Sequence, residues 1–149
     1  MAEHTASLRW TRNDGAFGRE GYSRDHSLTF ENGQQALASA APDYAGNPQA
    51  LNPETLLVGS LSSCHMLTFL ALCAKRGYVL DGYDDSASGT LDKNAEGRMA
   101  ITRIVLRPKA SFSGDKQPDT AELATLHDRA HANCFIANSV NTEVSVEPV

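Results

Sequence analysis

Short stretches with a period of two and longer ones with a period near 3.6 alternate along the chain, and they predict its elements. Thr5 to Thr11 reads as a strand, Asn13-Asp14-Gly15 as a turn, and Gly21 to Phe30 as one or two further strands. Glu31-Asn32-Gly33 marks another turn, because Asn-Gly accepts positive φ at little steric cost. Residues 38–52 carry Pro, Gly and Asn without periodicity and predict an exposed loop.

Asn52-Pro53-Glu54 then opens a helix. Asn52 can cap the free amides, Pro53 suits the first helical position, and Glu54 complements the helix dipole. The helix should run to about Lys75, with Arg76 and Gly77 as a basic last turn and a stop. Its main apolar stripe is Leu57, Leu61, Cys64, Leu67 and Ala71, which places Cys64 on a buried face; Thr68 shares that side. Two long strands follow, Asp81 to Asp92 and Arg98 to Phe112, joined by a hairpin turn at Lys93–Gly97. Pro108 predicts an edge or a bulge late in the second strand, and Ser113-Gly114-Asp115 ends it. A second helix over Asp119–Asn133 and a last strand over Thr142–Glu147 complete an α+β pattern in one domain, 1–149.

Composition narrows the classes. The chain is long enough for a hydrophobic core, and 41% hydrophobic with 21% charged residues is ordinary for a soluble domain. A formal charge of −5 disfavours general nucleic-acid binding, which needs a concentrated basic face. The nearest approach, Arg103, Arg107 and Lys109, has the odd spacing of a solvated strand face. The first twenty residues lack the apolar run of a signal peptide. Gly59, Ser60, Ser62, Ser63, Cys64 and His65 interrupt the most apolar stretch, which reads as a buried helix rather than a membrane span. A cytoplasmic protein without membrane or nucleic-acid partners is the expectation.

Three cysteines without an export signal argue against a structural disulfide framework. Cys64 sits about eleven residues into the first helix, beyond the turn where the helix dipole acts. A free thiol has a pKa of roughly 8.5, so a nucleophilic Cys64 needs a positive group from elsewhere in the chain. Packing is the plainer alternative for it. Cys134 lies at the end of the second helix, where side chains are more readily exposed, and Cys73, among Ala71, Leu72 and Ala74, reads as a packing residue. Spacing alone cannot pair cysteines seventy positions apart. A metal site is the rival chemistry: His127, His131 and Cys134 share a helical face, and Cys64 with His65 would complete a nitrogen–sulfur set. Otherwise His127 and His131 are part of a solvated helix face. No P-loop, GxGxxG, GxSxG or HExxH motif is present.

Several segments together resemble a known family. Asn52-Pro53-Glu54-Thr55-Leu56-Leu57 followed by Ser62-Ser63-Cys64-His65 is similar to the osmotically inducible protein C and organic hydroperoxide resistance (OsmC/Ohr) family. The likeness continues in Leu91-Asp92-Lys93, Ile101-Thr102-Arg103-Ile104 and Ala132-Asn133-Cys134-Phe135-Ile136-Ala137-Asn138-Ser139-Val140, and closes with Thr142 to Glu147. It covers the chain from about Asn52 onward, more weakly before, and is nearest to OsmC-like branches.

The resemblance implies a thiol peroxidase. Cys64 would attack the peroxide and become a sulfenic acid, and Cys134 would condense with it to a disulfide. An external thiol reductant would restore the couple, with no metal, haem or flavin. The implied fold is an intertwined homodimer, with antiparallel sheets around two central helices and two sites at the subunit interface. The family also uses an arginine to hold the thiolate and a glutamate to hold the arginine. Glu54 matches the glutamate. Ten residues of helix span about 15 Å, so either Glu54 serves the partner subunit's site or the helix is broken. Residues 38–52 contain no arginine, which departs from one branch of the family. Arg24, in Tyr22-Ser23-Arg24-Asp25-His26, is preferred over Arg19, in Gly18-Arg19-Glu20-Gly21. Either can instead be a surface arginine paired with Glu20 or Asp25. Two alternatives stay open: a non-catalytic metal- or ligand-binding protein on this fold, and a redox sensor.

Overall fold

The computed structural model describes residues 1–19 and 21–149, which group into two units, Met1–Leu56 and Leu57–Val149. In the first, β1 (Ala6–Arg9), β2 (His26–Phe30) and β3 (Gln35–Ala38) form an antiparallel meander in that order. Asn13 and Asp14 adopt positive φ and the Gly15 amide donates to Arg12 O at 3.0 Å, as the predicted turn requires. Gly33, at φ 83°, makes the β2–β3 turn.

The third strand was not expected. Its Gln35-Ala36-Leu37-Ala38 has weak β propensity, and pairing with β2 supplies what the side chains do not. The segment after it is also more ordered than its composition predicts. Ala38 bridges Leu51, a 3-10 turn occupies Pro42–Tyr44, and Gly46 folds back so closely that a Cβ there would stand 1.6 Å from Ala40 O.

Helix α1 (Pro53–Lys75) is unbroken, and Asn52 Oδ1 accepts from the Thr55 amide at 2.9 Å, as expected of its cap. It ends at Gly77, φ 77°, with Tyr78 N donating to Cys73 O and Gly77 N to Ala74 O, a Schellman stop. In the second unit the helix buries Leu61, His65, Phe69 and Cys73. The predicted stripe is therefore corrected: Leu67 is 59% exposed and Ala71 is exposed. A row at i, i+4 faces inward, and Cys64 sits half-buried at its edge. Length and composition alone would let α1 cross a membrane, but these four residues make it a core helix.

Each of the two long predicted strands is split. β4 (Val79–Asp85) pairs with β7 (Pro108–Ser113), whereas β5 (Ser88–Lys93) pairs with β6 (Met99–Leu106). The breaks fall at Asp85 and Arg107. Asp85 accepts the Arg107 amide at 2.6 Å and the Ser62 hydroxyl, and Pro108 offers no N–H to continue the ladder. β8 (Glu143–Val146) joins β6 in parallel, so that sheet is mixed. Arg103 meets Glu147 at 3.6 Å, and Arg107 donates to Ser86 O and Ser88 Oγ, consistent with a solvated strand face.

Helix α2 (Thr120–Asn133) starts with a capping box between Asp119 and Glu122. Tyr78, just past α1, donates to Glu122 at 3.0 Å, while Cys64 lies beside Cys134, just past the end of α2. The two helices thus meet in opposite directions. One core cluster centres on Phe69, Cys73, Tyr78, Leu126 and Ala130, the other on Leu61, Ile104 and Leu106.

Candidate active site

Cys64 and Cys134 come together in the second unit, from different helices. Cys134 is fully buried at the C-cap of α2, and Cys64 is partly exposed on α1. The expectation that a helix end would expose Cys134 is corrected: it is buried where the chain turns into the 3-10 helix Ala137–Ser139, whose first amide donates to the sulfur. Both sulfurs are free thiols. Burial is the first cause that pushes the Cys134 thiol up, and the Cys64 thiol beside it pushes the same way. The amides of Ala137, at 3.4 Å from the sulfur, and Ile136 oppose this by stabilising a thiolate. Burial prevails. Cys73 is a core residue pushed up to about 11 by burial, in keeping with its packing role.

The histidines differ from expectation. His127 is 3% exposed, not on a solvated face, and its Nδ1 lies 3.1 Å from Nε2 of fully buried His65. Phe69 stacks on the His127 ring at 4.3 Å. Their positions on two helical faces were legible, but the pairing needed the helix directions. The metal reading required His65, His127, His131 and the cysteines to converge. Among the described residues no group of three or more His, Cys, Asp or Glu is arranged to hold a metal.

Glu54, Arg24 and Arg19 belong to the first unit. Glu54 is half-buried, and its Oε2 has no hydrogen-bond partner among the described residues. Arg24 lies over the Tyr22 ring at 4.0 Å and donates to Tyr22 O and Ala45 O. It lines an apolar cleft of about 940 Å³ with Trp10, Phe17, Tyr22 and Tyr44. It does not pair with Asp25, whose carboxylate accepts from the Asn47 side-chain Nδ2 at 3.0 Å. Arg19 is exposed, and its pairing with Glu20 lies outside the described residues. Of the apolar side chains near the two thiols in sequence, Leu61 is fully buried, while Leu67 and Phe135 are exposed.

The family of OsmC-like proteins matches this chain over residues 46–149. The chain belongs to the OsmC-like family. An OsmC-like protein of unknown function from Vibrio cholerae is 44% identical over the full length of both chains, with a TM-score of 0.96. The uncharacterized protein YmaD of Bacillus subtilis is 22% identical over 84% of each chain. An organic hydroperoxide resistance protein from Elizabethkingia anophelis shares the OsmC-like fold at 16% identity, covering 99% and 96% of the two chains, with a TM-score of 0.74. The family likeness read from the Asn52 and Cys64 segments is thereby borne out, as is an OsmC-like α+β fold with two helices.

Proposed function

We propose that the protein is a cysteine-based peroxidase that reduces organic hydroperoxides, with Cys64 as the attacking thiol and Cys134 as the resolving one. The observation that carries the reading is the meeting of a partly exposed thiol with a buried one in the second unit. Cys64 thiolate attacks the terminal oxygen of the hydroperoxide, the O–O bond breaks, and the alkoxide leaves as an alcohol after taking a proton. Cys64 is left as a sulfenic acid. Cys134 displaces its hydroxyl as water to form a disulfide, and an external thiol reductant returns both thiols by exchange.

Glu54 and Arg24, or Arg19 in its place, are proposed to hold the Cys64 thiolate across the interface of a homodimer. The unbroken α1 removes the alternative of a broken helix, which supports Glu54 acting on the partner's site. Residues 1–149 act as one cytoplasmic domain without metal, flavin, membrane or nucleic-acid partners. Exposed Leu67 and Phe135 flank the two thiol positions in sequence and favour an organic group over hydrogen peroxide.

The test is consumption of an alkyl hydroperoxide with a dithiol reductant. Cys64→Ser should abolish it, and Cys134→Ser should fail within a few turnovers as Cys64 over-oxidises, read by mass spectrometry. Undiminished turnover in Cys64→Ser would overturn the assignment, and equal rates for hydrogen peroxide and an alkyl hydroperoxide would overturn the substrate preference.

A further inference from the structure

The first unit carries an apolar cleft whose aromatic walls have no part in the scheme above. It is lined only by residues between Leu8 and Pro53, and its rings are Trp10, Phe17, Tyr22 and Tyr44. The Trp10 indole N–H donates to Ser23 O at 2.8 Å, which fixes the ring. Phe17 packs edge-on against Trp10, with centroids 5.8 Å apart, and its centroid lies 5.2 Å from that of Tyr22. These three rings hold one another in place, yet Phe17 remains 67% exposed and Tyr44 51%. Four aromatic rings around one hollow of about 940 Å³ suit a flat apolar body. That volume lies in the range of small-molecule sites.

The polar groups of the lining are few and already held. Arg24 sits over the Tyr22 ring and commits only Nη1 to the protein, donating to Tyr22 O at 3.2 Å and Ala45 O at 3.5 Å. Ala45 presents that carbonyl from a left-handed backbone, φ 58°, which a residue with a Cβ adopts at a cost. Nε and Nη2, one side of the guanidinium fork, have no hydrogen-bond partner among the described residues, and no carboxylate there is within ion-pair distance. Ser39 is 1% exposed where it lines the cleft; its Oγ accepts from Asn47 N at 3.1 Å, and its own hydroxyl proton remains to be donated. A carboxylate matches such a guanidinium, because it accepts two parallel N–H bonds from the fork. Asp43, the one acid of the lining, disfavours a second negative charge on the ligand.

We propose that this cleft binds a planar aromatic monocarboxylate, with its ring against the aromatic walls and its carboxylate on Nε and Nη2 of Arg24. The inference goes beyond the two-cysteine reading and needs neither thiol. The walls select a flat apolar body, the guanidinium selects an anion, and Asp43 limits that anion to a single charge.

Trp10 is the only tryptophan of the chain, so one indole N–H resonance reports on the cleft. Calorimetric titration of the native protein with 2-naphthoate should give saturable binding with a Kd of about 1 mM or tighter, and the indole resonance should shift in step. The neutral isostere 2-naphthamide should bind at least about tenfold more weakly, and Arg24→Gln should erase that preference. The dianion 2-naphthyl phosphate should also bind more weakly than 2-naphthoate. Equal affinity for acid and amide in the native protein, which needs no substitution, overturns the site. Binding that leaves the indole resonance unmoved does the same, and tighter binding of the phosphate overturns the monocarboxylate. A native dimer that shields Trp10 from acrylamide and binds no naphthoate would show a second copy filling the cleft, which also overturns the proposal. In Cys64→Ser, where no thiolate competes for Arg24, 2-naphthoate should bind at least as tightly as in the native protein, whether or not the chain consumes hydroperoxide. Loss of binding in that variant overturns the site, whereas a protein that binds 2-naphthoate and consumes no hydroperoxide rejects the peroxidase reading alone.

Discussion

Cys73 and Cys134 are both fully buried, both have raised pKa values, and they lie at opposite ends of the contact between α1 and α2. Around Cys73 the core partners are Phe69, Tyr78, Leu126 and Ala130, none of them a sulfur, and burial raises its thiol against the weaker opposing charge of Arg76. Around Cys134 there are a second thiol and two backbone amides that stabilise a thiolate. Depth is the same; chemistry is not. A thiol surrounded by hydrocarbon is silenced, and one with a partner sulfur and polar hydrogens within reach can be buried and still react.

The sharpest way to separate the two ends is to damage one. Leu126→Ala empties the Cys73 end and should cost about 2–5 kcal/mol in urea unfolding. Consumption of an alkyl hydroperoxide by the folded fraction should be unchanged, and altered consumption would show that the ends are not separable. At the other end, His65→Leu leaves His127 Nδ1 without its partner, at a cost of about 1–3 kcal/mol. The double variant His65→Leu/His127→Leu makes this end resemble the Cys73 end and should recover most of that loss. A double-mutant cycle in urea gives the coupling directly.

Acid tests the same contrast. His65 binds a proton at about 4 when folded and at 6.5 when unfolded, so protons favour the unfolded chain. The stability tied to this neutral ring is complete above pH 6.5, falls as the pH drops, and is lost by about 4. The expected loss is on the order of 1–2 kcal/mol, measured by unfolding midpoints across that window. The double leucine variant should show a shallower slope there. The smallest effect is expected from Asp119→Ala, which removes the α2 capping box for about 1 kcal/mol. Hydroperoxide consumption should be untouched.

The sequence made the two helices legible because their caps are local: Asn52 with Pro53, Gly77, and Asp119 with Glu122 all act within a few residues. It also put the first turn at Asn13–Gly15. It did not reveal β3, whose residues are strand only because β2 lies beside them. Nor did it show that two long strands divide, since the break depends on Asp85 reaching Arg107 across the sheet. Cys64 and Cys134 were identifiable as residues, but their meeting depends on two helices running in opposite directions. The histidines were noticed for a metal and found in a hydrogen bond for the same reason. Helical spacing says which side chains share a face, not what that face meets.

Two sulfurs on separate helices have a mechanical consequence. A bond between them would close a loop of about seventy residues that contains the second half of α1, β4 to β7 and all of α2. Tethering a loop of that length removes unfolded-chain entropy worth about 4 kcal/mol. In a chain of this size that corresponds to a rise of roughly 10 °C in the melting midpoint. Heat resistance would then gauge the oxidation state: a sample caught mid-turnover should melt in two steps, one for each form of the couple.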